Sequence, residues 1–185
     1  MTSRAWLVAL ALAIPVARGP SVARAEVFGA SFRSTTWGVE MTVPRGWELS
    51  DQSAYPGIVA RAYEHKGKAR MTLAAQKLAP TDTLRTVVER NQKTLEGLGY
   101  KIVTVNPHPT GALLLESLTR DGKRDVRQAY LGRGDTVYVL SMAVAAEQSS
   151  GYLRPFEETL RGLSFTTPVP AAEPSAPSST EPTPR

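Results

Sequence analysis

Few side chains in this sequence could carry chemistry, and their spacing fits no metal site. The two histidines, His65 and His108, fall in segments predicted to be loops, which favours solvent-exposed histidines over metal or cofactor ligands. Cysteine is absent, and neither a His-x-x-x-His pair nor an acidic cluster of the calcium-loop type occurs. The sequence therefore predicts no metal and no cofactor.

Catalysis by a nucleophile or by paired carboxylates has equally little support. Asp51, Glu64 and Glu116 form no recognisable acid/base pair. No Gly-x-Ser-x-Gly elbow occurs, although the members of a Ser-His-Asp triad can lie far apart in a chain and the sequence leaves that arrangement open. The glycine-rich segment 132–134 lies between two predicted strands and lacks the helix N-terminus that a phosphate loop requires. We therefore predict a protein that is not an enzyme, with no catalytic, cofactor-binding or metal-binding residues.

The elements that would position any site are centred on three predicted antiparallel strands, at residues 112–119, 125–131 and 136–145. The first turn between them contains Asp121-Gly122, a dipeptide typical of two-residue type I′ hairpins. The third strand is apolar at both sets of alternate positions, which indicates a sheet covered on both faces. We therefore expect Val139 and Leu140 to be buried from opposite sides.

The other predicted strands lie before and after these three. Residues 36–43 predict a strand with Trp37, Val39, Met41 and Val43 on one face, and the turn at 44–47 places Trp47 as a lid on the end of the core. Residues 58–64 and 69–76 predict a hairpin, and residues 100–105 and 163–165 predict two short strands.

Two helices are predicted from apolar residues at spacings of three and four. The first covers residues 81–98, with Thr81 or Asp82 as its cap. The second ends at Arg161 and begins near Ser149 or Ser150, or near Leu153, since a proline at position 155 is expected only within a first turn.

The N-terminus has the pattern of a secretory signal peptide. Arg4 precedes an apolar run of about 13 residues, too short to span a bilayer, and Ala23-Arg24-Ala25 offers a small-x-small cleavage signal. We expect residues 1–25 to be removed after Ala25, and the product to be periplasmic or secreted. Because no cysteine is present, we expect no lipid anchor and no disulfide. Because the short apolar run is removed with the signal, we expect no stable membrane insertion after cleavage.

The remaining chain divides into one folded domain and a tail. Residues 26–167 suffice for a single α+β domain with its own core, and residues 168–185 are rich in Pro, Ala, Ser and Thr, which predicts disorder. The whole chain has a formal net charge of +5. Three arginines, at positions 4, 18 and 24, lie in the predicted signal, so the mature protein would have a formal net charge of +2. The Lys and Arg residues at positions 61–70 and 123–127 are interpreted as solvated turns, and no nucleic-acid partner is expected.

The order of these elements, together with Val43-Pro44-Arg45-Gly46-Trp47 and the ending Leu160-Arg161-Gly162-Leu163-Ser164-Phe165, resembles the PsbP-like superfamily. Its bacterial exported members include proteins of the DcrB and LpqN types. The resemblance implies an antiparallel sheet of about six strands with helices packed on its faces. It supplies no catalytic residues, because function depends on sites that differ within a fold.

Two functions are left open by the sequence and the resemblance. The first is an exported, non-catalytic binding or assembly protein of the bacterial cell envelope, whose partner is an envelope protein. The alternative is a carrier of a small apolar ligand or lipid, which would need a concave apolar pocket between helix and sheet. Trp37, Tyr55 and Tyr63 are the aromatic residues to inspect for an exposed patch.

Overall fold

The computed structural model describes residues 31–50, 57–65 and 67–166. The predictions for residues 1–25 and 168–185 lie outside these residues. The elements follow one another along the chain as β1 (Ser31–Ser34), β2 (Val39–Thr42), β3 (Trp47–Ser50), β4 (Ile58–Glu64), β5 (Ala69–Lys77), α1 (Leu84–Gly97), β6 (Lys101–Pro107), β7 (Leu113–Leu118), β8 (Arg124–Arg133), β9 (Thr136–Ala145), α2 (Ser149–Arg161) and β10 (Ser164–Phe165).

The strands form two sheets in which neighbouring strands are antiparallel. Seven strands lie in the order β3-β4-β5-β9-β8-β7-β6, and a smaller sheet has the order β1-β2-β10. The α+β prediction is therefore confirmed, and the strands outnumber the six expected. The sequence analysis missed β1, whose one large apolar side chain is Phe32, and β3, because its first residue, Trp47, was assigned to the preceding turn.

Helix α1 covers one face of the large sheet, here called the α1 face. Its buried residues Val87, Val88 and Leu95 pack in one cluster with apolar side chains of β7, β8 and β9. Val139, at the centre of β9, belongs to this cluster and is 3% exposed.

The opposite face, here called the α2 face, is covered by α2 and by the small sheet. Phe156 and Leu160 of α2 and Met41 of β2 share one core cluster with Leu140, which is 0% exposed. Val139 and Leu140 are thus buried from opposite sides, as predicted. The large sheet is the middle layer of the molecule.

The ends of α1 differ in detail from the prediction. The helix is capped by Thr83, not by Thr81 or Asp82, because Thr83 and Thr86 exchange hydrogen bonds in a capping box. The Asp82 carboxylate accepts a 2.6 Å hydrogen bond from Arg90 instead.

Helix α2 begins at Ser149, which was one of the predicted starts, and holds Pro155 in its middle. The N–H that proline lacks would have bonded to the carbonyl of Gly151, which is exposed and can bond to water. Among the described residues, no helix has the length and apolar character needed to cross a bilayer.

Candidate binding surfaces

One end of the large sheet gathers cationic side chains that are distant in sequence. The start of β5 and the turn between β7 and β8 meet there, because β5 and β8 both pair with β9. We call this region the basic end and define it by Lys68, Arg70, Arg120, Lys123 and Arg124. Two open clefts of about 470 and 610 Å³ lie beside it and share Lys123 and Arg124.

The turn that carries Lys123 and Arg124 is held by its own polar groups. The Asp121 carboxylate accepts hydrogen bonds from the Thr119 hydroxyl at 2.6 Å and from the Lys123 N–H at 3.1 Å. These bonds hold the pKa of Asp121 below its ordinary value. The flanking residues Thr119 and Arg124 are bonded through their backbones, so the turn has four residues and not the two predicted from Asp-Gly. A fixed turn therefore presents Lys123 and Arg124 to solvent.

The first cleft lies on the α1 face, beyond the part of the sheet that α1 covers. Tyr63 of β4 is half-buried and lies opposite Arg70, which in turn lies opposite Ala143. An aromatic ring, a small apolar side chain and a guanidinium group therefore line the cleft together. Glu147 is its acidic lining residue.

The second cleft lies at the C-terminal end of α1 and combines an apolar floor with a cationic rim. Leu98 is 55% exposed there, whereas Tyr100 is buried. Burial raises the pKa of Tyr100, and the positive charge of Arg124 partly opposes this shift. The Arg120 side chain passes close to Gly99, where a Cβ atom would come within 3.2 Å of it.

The three aromatic residues singled out from the sequence do not form one patch. Tyr63 lines the first cleft, whereas Trp37 packs against the core on the α2 face, where its carbonyl accepts a hydrogen bond from Tyr138. Tyr55 lies outside the described residues. Trp47 is buried and meets Tyr152 edge-on at 6.2 Å, which confirms its predicted place at the end of the core.

The histidines occupy two different environments. His65 is exposed, as predicted, and pairs with Glu48 at 2.8 Å. The prediction for His108 was wrong, because its side chain is only 9% exposed. The loop after β6 folds back on α2, so that Nε2 lies 2.9 Å from Glu157, while Nδ1 accepts a hydrogen bond from the Thr110 N–H. The His108 side chain therefore holds the loop to α2.

Of the acidic residues considered for catalysis, Glu64 and Glu116 lie on strands at opposite sides of the large sheet and are engaged in structural contacts. The Glu64 carboxylate accepts a hydrogen bond from the Tyr152 hydroxyl at 3.3 Å, and Glu116 pairs with Arg127. Asp51 lies outside the described residues. Within the described ranges, no group of three or more His, Asp or Glu side chains is placed to hold a metal ion.

Two buried polar clusters were not predicted. On the α1 face, the Asn91 amide donates to Gln128 and Tyr130, and burial raises the pKa of Tyr130 strongly. On the α2 face, Asp125 is 4% exposed and accepts a hydrogen bond from Ser149 at the start of α2. Each cluster joins a helix to the sheet, so both have a structural role.

Comparisons with known proteins place the fold. No protein-family model and no curated protein matches the sequence.

The solved structure of cyanobacterial PsbP from Synechocystis sp. PCC 6803 is similar to this chain, with a TM-score of 0.57 and 13% sequence identity. The similarity covers 80% of this chain and 100% of that one. LpqN of Mycobacterium tuberculosis, described as involved in cell envelope biogenesis, has a TM-score of 0.51 and 15% identity over 69% and 83% of the two chains. A Bacteroides thetaiotaomicron protein has a TM-score of 0.51 and 17% identity, over 75% of this chain and 48% of that one. The chain has the PsbP-like fold.

Proposed function

We propose that this chain is an exported, non-catalytic binding or assembly protein of the cell envelope, and that it recognises an anionic partner through the basic end. The observation that carries the proposal is the contrast, within the described residues, between the closely packed layer that joins α1 to the sheet and an open cationic surface. Proteins that recognise other macromolecules bind through such surfaces and not through enclosed cavities.

This packed layer argues against the carrier alternative. A carrier would need an apolar pocket of several hundred Å³ between α1 and the sheet. Val87, Val88 and Leu95 occupy that position and are each at most 4% exposed. The two clefts described above are instead open and lie at the end of the sheet.

The charge of the basic end gives the chemistry of the partner. The residues that line the two clefts include these five cationic side chains and two acidic ones, Asp121 and Glu147. Asp121 already accepts two hydrogen bonds within its turn. An acidic protein surface would complement this end, and Tyr63 and Leu98 would supply apolar contact beside the charges. Because four of these cations, Lys68, Arg120, Lys123 and Arg124, are exposed, binding should weaken as the salt concentration rises.

The cellular location rests on two observations. The N-terminal sequence has the pattern of a cleavable signal with Ala25 as its last residue. One protein of the same fold, LpqN, is described as involved in cell envelope biogenesis. Both support an envelope role, and neither identifies the partner.

Affinity capture from the envelope fraction tests the proposal. The tagged chain should retain an acidic protein partner, identified by mass spectrometry. A chain with Lys123→Glu and Arg124→Glu should retain at least about tenfold less, because two favourable charges become repulsive ones, and each ~1.4 kcal/mol is tenfold in affinity.

The matched control reverses two other exposed arginines. Arg85 and Arg154 have side chains that are 84% and 88% exposed, and each pairs with a glutamate of its own helix. Arg85→Glu with Arg154→Glu makes the same change in net charge and should leave capture unchanged. Equal capture by both double variants, or recovery of a stoichiometric lipid without a protein partner, would refute the proposal.

A further inference from the structure

The chain leaves the small sheet beside a group of aromatic side chains, at the end of the molecule where β8 turns into β9. Tyr138 and Phe165 have ring centroids 4.8 Å apart, and the Arg133 guanidinium lies 4.9 Å from the centre of the Phe165 ring. The Tyr138 hydroxyl donates a hydrogen bond to the Trp37 carbonyl. Trp37 and Phe165 pack against the core but are only half-buried. We call Trp37, Tyr138 and Phe165 the aromatic corner.

The last described residues direct the following segment to this corner. Strand β10 pairs antiparallel with β2, and the Thr166 N–H donates to the Gly38 carbonyl at 2.8 Å. Continuing this register puts residue 167 opposite Trp37. The next donor to β2 would come from position 168, because bonded positions alternate along an antiparallel strand. Pro168 has no N–H, so the ladder ends beside Trp37.

The segment that follows has a composition suited to an aromatic surface. Pro168-Val169-Pro170 favours the polyproline II conformation, because proline fixes its own φ and keeps the preceding residue extended. Such segments dock on aromatic side chains and lose little conformational entropy in doing so. We propose that residues 167–170 dock on the aromatic corner of their own chain, with Trp37 as the main contact.

Chain connectivity favours this segment as the occupant. It is tethered at Thr166, next to Trp37, so its effective concentration at the corner is on the order of millimolar. A contact that would be too weak to hold a free peptide therefore suffices. The Phe165 ring already contacts Tyr138 and Arg133, so the prolines pack on Trp37.

Docking determines where the tail leaves the domain. Strand β8 runs from Arg124, at the basic end, to Arg133, beside Phe165. Its ten residues span roughly 30 Å at ~3.4 Å per residue. The tail therefore starts at the opposite end of the sheet and leaves the basic end open. This inference does not depend on the anionic partner proposed above.

Backbone order parameters from ¹⁵N relaxation of the purified chain test the proposal. The tail contains a matched reference, because Pro182-Thr183-Pro184 repeats the same spacing of prolines further from the domain. Val169 should have an order parameter above ~0.6, the limit for flexible backbone, and Thr183 should lie below it. A nuclear Overhauser effect between the Val169 methyl groups and the Trp37 indole should accompany this ordering.

Two variants identify the contact. Trp37→Ala removes the indole, and Pro168→Ser with Pro170→Ser removes the preference for polyproline II. Each should lower the order parameter of Val169 to that of Thr183 and abolish the Overhauser effect to Trp37. Far-UV circular dichroism checks that Trp37→Ala folds, and the double serine variant provides the same test without a change in the domain.

The control makes the same two changes in the second motif. Pro182→Ser with Pro184→Ser should leave the order parameter of Val169 unchanged. A wild-type Val169 as mobile as Thr183 would overturn the proposal, as would ordering that survives both Trp37→Ala and the serine substitutions at 168 and 170. Ordering that appears only as protein concentration rises would indicate docking on a second copy and would also overturn it.

Discussion

Replacing Leu140 by alanine is expected to lower the free energy of unfolding by roughly 2–5 kcal/mol. Leu140 is 0% exposed at the centre of β9, where it lies between Leu73 and Ala129 of the neighbouring strands. Both neighbours are also 0% exposed, and the side chain belongs to the cluster that contains Phe156 of α2. The surrounding layers hold the site open after truncation, so a cavity remains and adds to the lost burial.

Urea denaturation followed by circular dichroism measures this change. Leu153→Ala is the control, because it makes the same leucine-to-alanine change at an exposed position. It should lower the free energy of unfolding by less than about 1 kcal/mol. If Leu140→Ala proved as mild as Leu153→Ala, the α2 face would not be packed as described.

The second large effect is expected for Asp125→Ala, which should destabilise the protein by roughly 2–4 kcal/mol. Asp125 accepts a hydrogen bond from Ser149 and lies 3.4 Å from the Arg127 guanidinium. The variant leaves that cation with one carboxylate partner, Glu116, and frees the start of α2 from the sheet. The cost stays below that of a fully buried pair because the Arg127 side chain is 23% exposed.

Two milder variants separate the two roles of Asp125. Ser149→Ala removes the link to α2 alone, and Asp125→Asn retains an acceptor for the Ser149 hydroxyl but loses the charge that faces Arg127. Each should cost less than Asp125→Ala in thermal or urea denaturation. If Asp125→Ala and Asp125→Asn were both neutral, Asp125 would not anchor α2.

The sequence predicts best where a pattern is long and local. Strand β9 has ten residues and is apolar on both faces. This pattern predicted both the strand and the presence of a covering layer on each face of the sheet. The N-cap of α1 was misplaced because three consecutive polar residues, Thr81, Asp82 and Thr83, can each cap a helix. Only the reciprocal bonds between Thr83 and Thr86 select one of them.

The candidate surface could not be predicted because it depends on contacts between distant segments. Lys68 and Lys123 lie in different turns, and each turn alone looks like an ordinary solvated loop. Strand pairing through β9 brings them to one end of the sheet. His108 was misjudged for a similar reason, since its loop becomes buried only when α2 packs beside it.

Site-specific photo-crosslinking in living cells tests the central claim most directly. A photoreactive amino acid in place of Lys123 should form a crosslink to an acidic envelope protein, and the same group in place of Arg85, on the exposed side of α1, should not. The crosslink at position 123 should disappear when Arg120 and Arg124 are both changed to glutamate. Crosslinking that is equal at positions 123 and 85, or that persists unchanged after this charge reversal, would contradict recognition through the basic end.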